Sequence, residues 1–270
     1  MTAPSFLLPA GLVRIFLLTT LVSLGVASTA PIKTGTPDMS QGAVCFTFDD
    51  LFIAQWVAAA PVFKEYGAHV TFFITHMGKL NQSQKAGLKT LQNEGHAIAC
   101  HGLHHARTVD FVSKNGEQAY LDSEIFPAND ILRQLGFNPT AFAYPFSQNN
   151  ARTDATLLRV FRHLRTRGNI KGGKLKENDT IFVPVQKIAA TGCLLAAVID
   201  LAGTERSPDG VEQVCDALDR AEKHRELVVF YAHNIGDDAA GNHLPLASLR
   251  KILDHAKTIG LPTVTYDDLP

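Results

Sequence analysis

Two kinds of segment alternate along the chain after residue 31. Short runs rich in β-branched and aromatic residues predict strands, and longer stretches with apolar residues three or four apart predict helices. The predicted strands cover residues 43–48, 69–75, 96–100, 140–144, 227–232 and 263–266. The predicted helices cover residues 53–63, 83–93, 117–135, 211–224 and 244–259, with a break at Pro127. Residues 161–208 show the weakest pattern.

The alternation of strands and helices predicts parallel βα units. The strands are apolar throughout, which is typical of strands buried on both faces. This repeat fits a (β/α) barrel or an open doubly wound sheet. Polar motifs follow the strands at Asp49, His101 and His233, and a barrel gathers such strand ends into one site. No glycine-rich phosphate loop follows a strand, which argues against a nucleotide-binding fold.

Length and charge narrow the function classes. The 270 residues suffice for one large domain or two small ones. Lys and Arg together number 25, against 26 Asp and Glu, so the net charge is −1. This balance gives no electrostatic reason to expect nucleic acid or an anionic membrane surface as a partner.

The N-terminal segment differs from the rest of the chain. Arg14 precedes an uncharged apolar run at residues 15–26, and the small residues Ser28 and Ala30 follow. This order is typical of a secretory signal peptide, and the run is shorter than the about 20 residues of a membrane-spanning helix. We predict a signal peptide at residues 1–30, no stable membrane span after cleavage, and export to the periplasm, cell envelope or extracellular space. A retained membrane anchor is the alternative.

Export would allow the four cysteines to oxidise. Four cysteines allow three pairings, and the sequence does not choose among them. A disulfide between Cys193 and Cys215 would staple the segment that they flank. Cys45 and Cys100 are expected to be small buried residues, and a disulfide between the two is the alternative.

Two adjacent carboxylates, Asp49 and Asp50, end the first predicted strand. Burying them is costly unless other groups compensate the charge. Neighbouring residues of a strand point to opposite sides, so one carboxylate is expected to hold a cation and the other to act as a base. The alternative is a structural turn, or an N-cap for the helix that begins near Ile53.

Three histidines lie within five residues, at His101, His104 and His105. One helical turn would bring His101 and His105 to the same face. Two neutral imidazoles with a carboxylate suit zinc and similar divalent metals, and they leave coordination positions open for water, as in catalytic sites. We therefore predict Asp50, His101 and His105 as metal ligands, with His104 exposed and His96 structural. An exposed polar loop is the alternative.

Two further motifs follow later strands. Tyr144, Pro145 and Phe146 form an aromatic turn that can present backbone N–H groups and a wall on which a sugar stacks; the alternative is a plain proline turn. His233 ends a buried strand, where it is placed for proton transfer. A satisfied core histidine is the alternative for that position.

In their order and combination, these four motifs resemble the polysaccharide deacetylase family, the NodB-type carbohydrate esterases. The resemblance extends over residues 43–270 and implies an irregular (β/α)7-type barrel in a single catalytic domain at residues 31–270. By this resemblance the catalytic residues are Asp49 as base and His233 as acid, the metal ligands are Asp50, His101 and His105, and the oxyanion and substrate-binding residues are Phe146 (through its backbone N–H), Tyr144 and Pro145.

The resemblance also implies an activity. A member of this family would use a divalent metal, with Zn2+ favoured, to remove N-acetyl groups from amino sugars in an acetylated polysaccharide or oligosaccharide. Chitin, peptidoglycan and poly-N-acetylglucosamine are the expected types of polymer. The alternatives are an O-acetyl esterase or a non-sugar amidase on the same scaffold, and a catalytically silent carbohydrate-binding relative.

The sequence departs from the family pattern in two places that bear on the site. The family often has an arginine that orients the base, and Ala143 occupies that position. We hypothesise that Arg165 or Arg167 supplies the charge from another strand. The family's tryptophan-containing block is not recognisable, since the only tryptophan is Trp56. His233 is therefore expected to lack its usual support.

Overall fold

The computed structural model describes residues 1–2, 35, 37–170, 174–203, 210–237 and 241–270. Apart from its first two positions, the predicted signal peptide at residues 1–30 lies outside the described residues. Among the helices that are described, none is both long and apolar enough to cross a membrane. Lys33–Pro270 forms one compact unit.

The core of the fold is a closed ring of parallel strands. The described strands are β1 (Ala43–Asp50), β2 (Thr71–Ile74), β3 (Ala97–Cys100), β4 (Ala141–Ala143), β5 (His163–Arg167), β6 (Phe182–Pro184), β7 (Cys193–Val198), β8 (Glu226–Ala232), β9 (Asn234–Ile235) and β10 (His243–Leu244). Seven of them pair in the order β1-β2-β3-β4-β5-β7-β8, and β8 pairs again with β1. The predicted irregular (β/α)7 barrel is therefore confirmed.

The irregularity lies between β7 and β8. These two strands pair over only two residues each, at the level of Phe230 and Tyr231. Below that level the antiparallel β6 pairs with β8 instead, from Val228 to Glu226. Because the short strand β6 pairs with the part of β8 that β7 does not reach, residues 161–208 lack a regular βα pattern.

Helices cover the outside of the barrel. The described α-helices are α1 (Ile53–Tyr66), α2 (Gln82–Asn93), α3 (Thr108–Asn115), α4 (Glu117–Tyr120), α5 (Phe126–Gln134), α6 (Ala151–Leu157), α7 (Gly210–His224) and α8 (Leu246–Thr258). The predicted helix at 117–135 is interrupted by a π-helical turn, Leu121–Ile125, just before Pro127. The sequence pattern did not predict α3, α6 or the strands β5 to β7.

The prediction of a last strand at residues 263–266 is wrong. Thr263 makes only an isolated bridge to Val44, and a short 3-10 helix, Tyr266–Asp268, follows. From Thr47 onward, the same edge of β1 is taken by β2. The C-terminal segment therefore finds an open edge only at the very beginning of β1, where Val264 donates to the carbonyl of Val44.

The side chains of the strands divide into two layers, as expected for strands buried on both faces. Large outward side chains such as Phe46, Phe48 and Phe72 pack against the helices. The second cluster, in the barrel interior, combines large side chains such as Phe73, Leu194 and Tyr266 with six small residues, namely Ala43, Cys45, Ala99, Ala141, Ala143 and Ala196. Small interior side chains leave room at the carboxyl end of the barrel for buried polar groups.

All four cysteines are free thiols. Cys45 and Cys100 are fully buried, which confirms their prediction as small buried residues. The alternative of a Cys193–Cys215 disulfide is wrong, because the two thiols lie in different surroundings. Cys193 is close enough to Asp154 to feel its charge, and burial raises the pKa of this thiol to about 12. Cys215 instead feels the carboxylates of its own helix, α7.

The beginning of β1 is held against α7 by a close approach that only glycine permits. Gly42 has φ +99°, and a Cβ at this position would lie 2.5 Å from the carbonyl oxygen of Ala221. We predict that Gly42→Ala lowers the free energy of unfolding by about 3 kcal/mol, from overpacking together with left-handed strain. Gly67→Ala is the control, because Gly67 has φ +65° with nothing near its Cβ direction, and should cost only about 1 kcal/mol. If urea denaturation gave equal losses in the free energy of unfolding for Gly42→Ala and Gly67→Ala, the close approach at Gly42 would be contradicted.

Candidate active site

A cavity opens at the carboxyl ends of the barrel strands. Its lining consists of Asp49, Asp50, His101, His105, Tyr144, Phe146, Ser147, Tyr231, His233 and Asn242. The structure therefore brings together all but one of the residues that the sequence singled out. The exception is Pro145, which is buried next to this lining. Tyr231 was missed, although it lies on β8 only two residues before His233, which follows the end of that strand.

Three side chains converge on one point of the cavity. Asp50 Oδ1 lies 3.7 Å from His101 Nε2 and 3.5 Å from His105 Nε2, and the two nitrogens are 3.2 Å apart. His101 Nδ1 lies 2.8 Å from the carbonyl oxygen of Ala143. A carbonyl only accepts, so Nδ1 carries the proton and Nε2 keeps its lone pair for a metal. Burial lowers the pKa of His101 to about 3, which favours the neutral form that metals bind.

The route by which the two histidines meet differs from the prediction. The expected helical turn is wrong, because residues 101–107 form an irregular loop in which His105 has φ 58°. The buried Glu124, in the π-helical turn, holds this loop: its Oε2 accepts from the backbone N–H of His104 and its carbonyl accepts from that of Leu103. The His104 side chain is exposed as predicted, yet its Nδ1 lies 2.8 Å from Glu124 Oε1.

Positive φ angles concentrate at the site. Non-glycine residues rarely adopt φ above zero, and such strain clusters where function requires it. Asp50 (φ 83°), Phe146 (φ 55°) and Ser147 (φ 55°) all line the cavity. Strand alternation would send Asp49 and Asp50 to opposite faces, but the left-handed turn at Asp50 aims both carboxylates at the same cavity.

Asp49 is a buried carboxylate with a buried cation as its partner. Arg165, on β5, donates from Nη2 to Asp49 Oδ2. Burial alone would raise the pKa of Asp49, but the charges of Arg165, His101 and His233 hold it below its usual value. The other oxygen, Oδ1, has no hydrogen-bond partner among the described residues. Of the two hypothesised arginines, Arg165 therefore reaches the carboxylate, whereas Arg167 is exposed.

His233 is held by groups from two other elements. Its Nδ1 lies 2.6 Å from Asp200 Oδ2, and its backbone N–H donates to Asp200 Oδ1. The indole N–H of Trp56 donates to its carbonyl oxygen at 2.8 Å. The expectation that His233 lacks support is therefore wrong. Burial would lower the pKa of His233, but the hydrogen bond of Asp200 together with the charges of Asp49, Asp200 and Asp50 raises it to about 9. A carboxylate directly after the apolar run 194–199 was the overlooked signal.

The comparison with known families agrees with this geometry. Residues 36–160 match the family described as Polysaccharide deacetylase. This match covers 125 of the 270 residues and includes Asp49, Asp50, His101, His105 and the aromatic turn at residues 144–146. No curated protein sequence matches the chain.

Solved structures share the fold of this chain at low sequence identity. A structure described as a T48 deacetylase with substrate is 16% identical, with 86% of this chain and 92% of that chain covered and a TM-score of 0.54. The Xyl-CE4 domain of a xylanase from the hindgut metagenome of Trinervitermes trinervoides is 13% identical, with 84% and 88% covered and a TM-score of 0.53. A Streptococcus mutans CE4 esterase is 22% identical, with 84% and 87% covered and a TM-score of 0.52.

Of the two aromatic rings at Tyr144 and Phe146 in the third motif, only one is exposed. Tyr144 is buried, and its hydroxyl donates to Asp154 at 2.7 Å, away from the cavity mouth. Phe146 is 49% exposed. Its ring lies 4.5 Å from that of His105 and 4.1 Å from the guanidinium carbon of Arg107. Phe146 is therefore the aromatic surface that solvent, or a sugar ring, can reach.

The buried pair predicts a specific pattern of stability. Arg165→Met leaves the Asp49 carboxylate buried without its partner, which should cost about 3–5 kcal/mol at neutral pH. Adding Asp49→Asn removes the orphaned charge and should restore part of this loss. Without the guanidinium, burial raises the pKa of Asp49, so acidification should narrow the gap between Arg165→Met and the wild type.

Urea denaturation at several pH values measures these differences. Arg167→Met is the control, since an exposed substitution changes stability by about 0.5 kcal/mol or less. If the double variant were no more stable than Arg165→Met alone, the ion pair would not be the reason for the loss.

Proposed function

We propose that this chain is a metal-dependent deacetylase that hydrolyses N-acetyl groups of amino sugars in a polysaccharide. The observation that carries the proposal is the convergence of Asp50, His101 and His105 beside the free oxygen of Asp49. The match of residues 36–160 to the polysaccharide deacetylase family supports it. So does the fold shared with a T48 deacetylase and with a peptidoglycan N-acetylglucosamine deacetylase from Eubacterium rectale.

Asp50, His101 and His105 would hold the metal, and two imidazoles with one carboxylate favour Zn2+ over harder cations. When bound, the ion supplies Lewis-acid chemistry, which lowers the pKa of water and polarises a carbonyl oxygen. Three protein ligands leave coordination positions for both groups, as catalytic zinc sites require.

The protein side chains then divide the proton transfers between them. Asp49 takes a proton from the attacking water through Oδ1, while Arg165 fixes the orientation of the carboxylate and keeps it ionised. The backbone N–H of Phe146 donates to the oxygen that becomes negative as the acetyl carbonyl is attacked. His233 gives its proton to the departing amine nitrogen. Water and the N-acetyl sugar are thereby converted to acetate and a free amino sugar.

The pairing of His233 with Asp200 favours an amide substrate over an ester. An amine leaves only when its nitrogen is protonated, and a histidine with a pKa of about 9 is charged at neutral pH. An O-acetyl esterase has less need of such an acid. A non-sugar amidase would use the same catalytic groups. The exposed Phe146 ring at the cavity mouth favours a sugar substrate over a non-sugar amide, since sugars stack on aromatic rings. We further propose that the protein is exported, because its polymeric substrate lies outside the cell.

The activity can be tested by acetate release from N-acetylglucosamine oligomers. The wild type should release acetate, and chelator treatment or Asp50→Ala should abolish release by removing the metal. Asp49→Asn should lower the rate by about 100-fold or more through loss of the base. Asp130→Asn is the matched control, because this carboxylate is exposed on α5, and should behave like the wild type.

Each alternative predicts its own result in this assay. Release that persists in chelator would contradict the metal mechanism. Acetate from O-acetylated xylan oligomers alone would indicate the esterase, and acetate from non-sugar amides alone would indicate the amidase. No release from any substrate by folded, zinc-loaded protein, with no effect of Asp49→Asn on carbohydrate binding, would indicate the silent relative.

The pH dependence should report His233. Its protonated form is the acid, so the rate should fall as pH rises through about 9. Asp200→Asn removes the hydrogen-bonded carboxylate that contributes most to raising this pKa, and the alkaline limb should move to lower pH, toward the ordinary value of about 6.5. Asp219→Asn is the control, since it breaks a comparable pair with the surface residue His255. An unmoved alkaline limb in Asp200→Asn would show that His233 is not the titrating acid.

A further inference from the structure

His233 sits at a gap in the strand pairing. The strand β8 ends at Ala232 and β9 begins at Asn234. The register of β8 with β1 ends at Ala232, opposite Phe48. The two peptide groups of His233 therefore lie beyond the barrel ladder, and side chains must satisfy them.

Two side chains from distant parts of the sequence form these hydrogen bonds. Asp200 accepts from the backbone N–H of His233 at 3.1 Å, and Trp56 donates its indole N–H to the backbone oxygen at 2.8 Å. Asp200 also binds the ring, so its effect on His233 is partly electrostatic. The indole is uncharged and contacts only the backbone oxygen by hydrogen bond, which makes Trp56 a purely geometric restraint.

The position of the indole is itself fixed. Trp56 lies in the first turn of α1, is completely buried, and stacks on Phe72 with ring centroids 4.8 Å apart. The ring of Phe52 packs against its edge at 6.4 Å. A buried Trp N–H is a donor only, and here its one partner is the carbonyl of His233. The core of the first βα unit is thereby tied to the end of β8.

We propose that Trp56 is a positioning residue that sets the depth of His233 in the active-site cavity. The proposal rests on the proposed function, in which His233 protonates the leaving nitrogen. Proton transfer requires the imidazole within hydrogen-bond reach of that atom, and small displacements of a catalytic group lower rates steeply. Loss of the indole N–H would free the His233 peptide to rotate between the two strands that flank it.

A positioning role and a purely structural role for Trp56 can be distinguished by comparing two substrates whose leaving groups differ in their need for a proton. An amide needs the acid, whereas 4-nitrophenyl acetate releases a stable phenolate that leaves without protonation. A displaced His233 should therefore slow the amide selectively. General loosening of the core should slow both substrates alike.

The experiment compares Trp56→Phe with Phe72→Leu in the full chain loaded with zinc. Phe72→Leu removes packing from the same cluster but keeps the indole N–H. For Trp56→Phe we expect kcat on N-acetylglucosamine oligomers to fall by about 10- to 100-fold with little change in KM, and hydrolysis of 4-nitrophenyl acetate to change by less than about threefold. Phe72→Leu should keep the wild-type ratio of the two activities.

A second replacement guards against misfolding of Trp56→Phe. The chain contains a single tryptophan, so biosynthetic incorporation of benzothienylalanine changes only Trp56 and puts sulfur in place of the N–H in a ring of nearly the same shape. It should reproduce the selective loss of amide hydrolysis. The imidazole NMR signals of His233 should shift in both Trp56 replacements and stay in place in Phe72→Leu.

The outcomes are distinct. Equal losses on both substrates, or a wild-type ratio in the benzothienylalanine protein, would overturn the role of Trp56. Failure of the wild type on every acetylated sugar would overturn the proposed function instead. In that case the NMR signals alone decide whether Trp56 positions His233, and unshifted signals would refute it.

Discussion

The guanidinium of Arg165 and the carboxylate of Asp49 form an ion pair inside the barrel, where both side chains are almost completely buried. A buried carboxylate without a cation would be protonated, and a buried guanidinium without an anion would be strongly destabilising. Each charge therefore requires the other. The rings of Phe73 and Tyr231 lie beside the guanidinium. This arrangement keeps the Asp49 carboxylate ionised and leaves its Oδ1 without a hydrogen-bond partner among the described residues, which is the property that the proposed reaction needs.

Other side chains of the cavity are also held by contacts with neighbouring groups. Several side chains that we propose take part in the reaction are oriented by a group from another segment of the chain, to which we assign no step of that reaction. The carbonyl of Ala143 sets the tautomer of His101, Glu124 holds the loop that carries His105, and Asp200 directs the ring of His233. Rotation of these side chains is restricted before any substrate arrives, so little orientational entropy remains to be lost on binding.

The chain also shows how a buried carboxylate keeps a cationic partner although the arginine expected from the family resemblance is absent. An arginine that the family often places on the fourth strand is Ala143 here, yet a guanidinium reaches the base from the neighbouring β5. The barrel interior permits this exchange because inward-pointing residues of adjacent strands share one narrow space. The missing tryptophan block has a comparable outcome: Trp56, from α1, contacts the backbone of His233.

The sequence alone determined the parallel βα repeat, the residues at the strand ends and the family, because strand burial, helical spacing and short motifs are local properties. The register of the strands, and with it the depth of each side chain in the barrel, was decided only by the tertiary structure. Alternation places Arg165 and Arg167 on the same side of β5, and only the pairing of β5 with β4 and β7 decides which one is level with Asp49. The contacts of Glu124 and Trp56 were equally inaccessible, because each joins segments distant in sequence. Such partners are selected by packing of the closed barrel, and no local pattern encodes them.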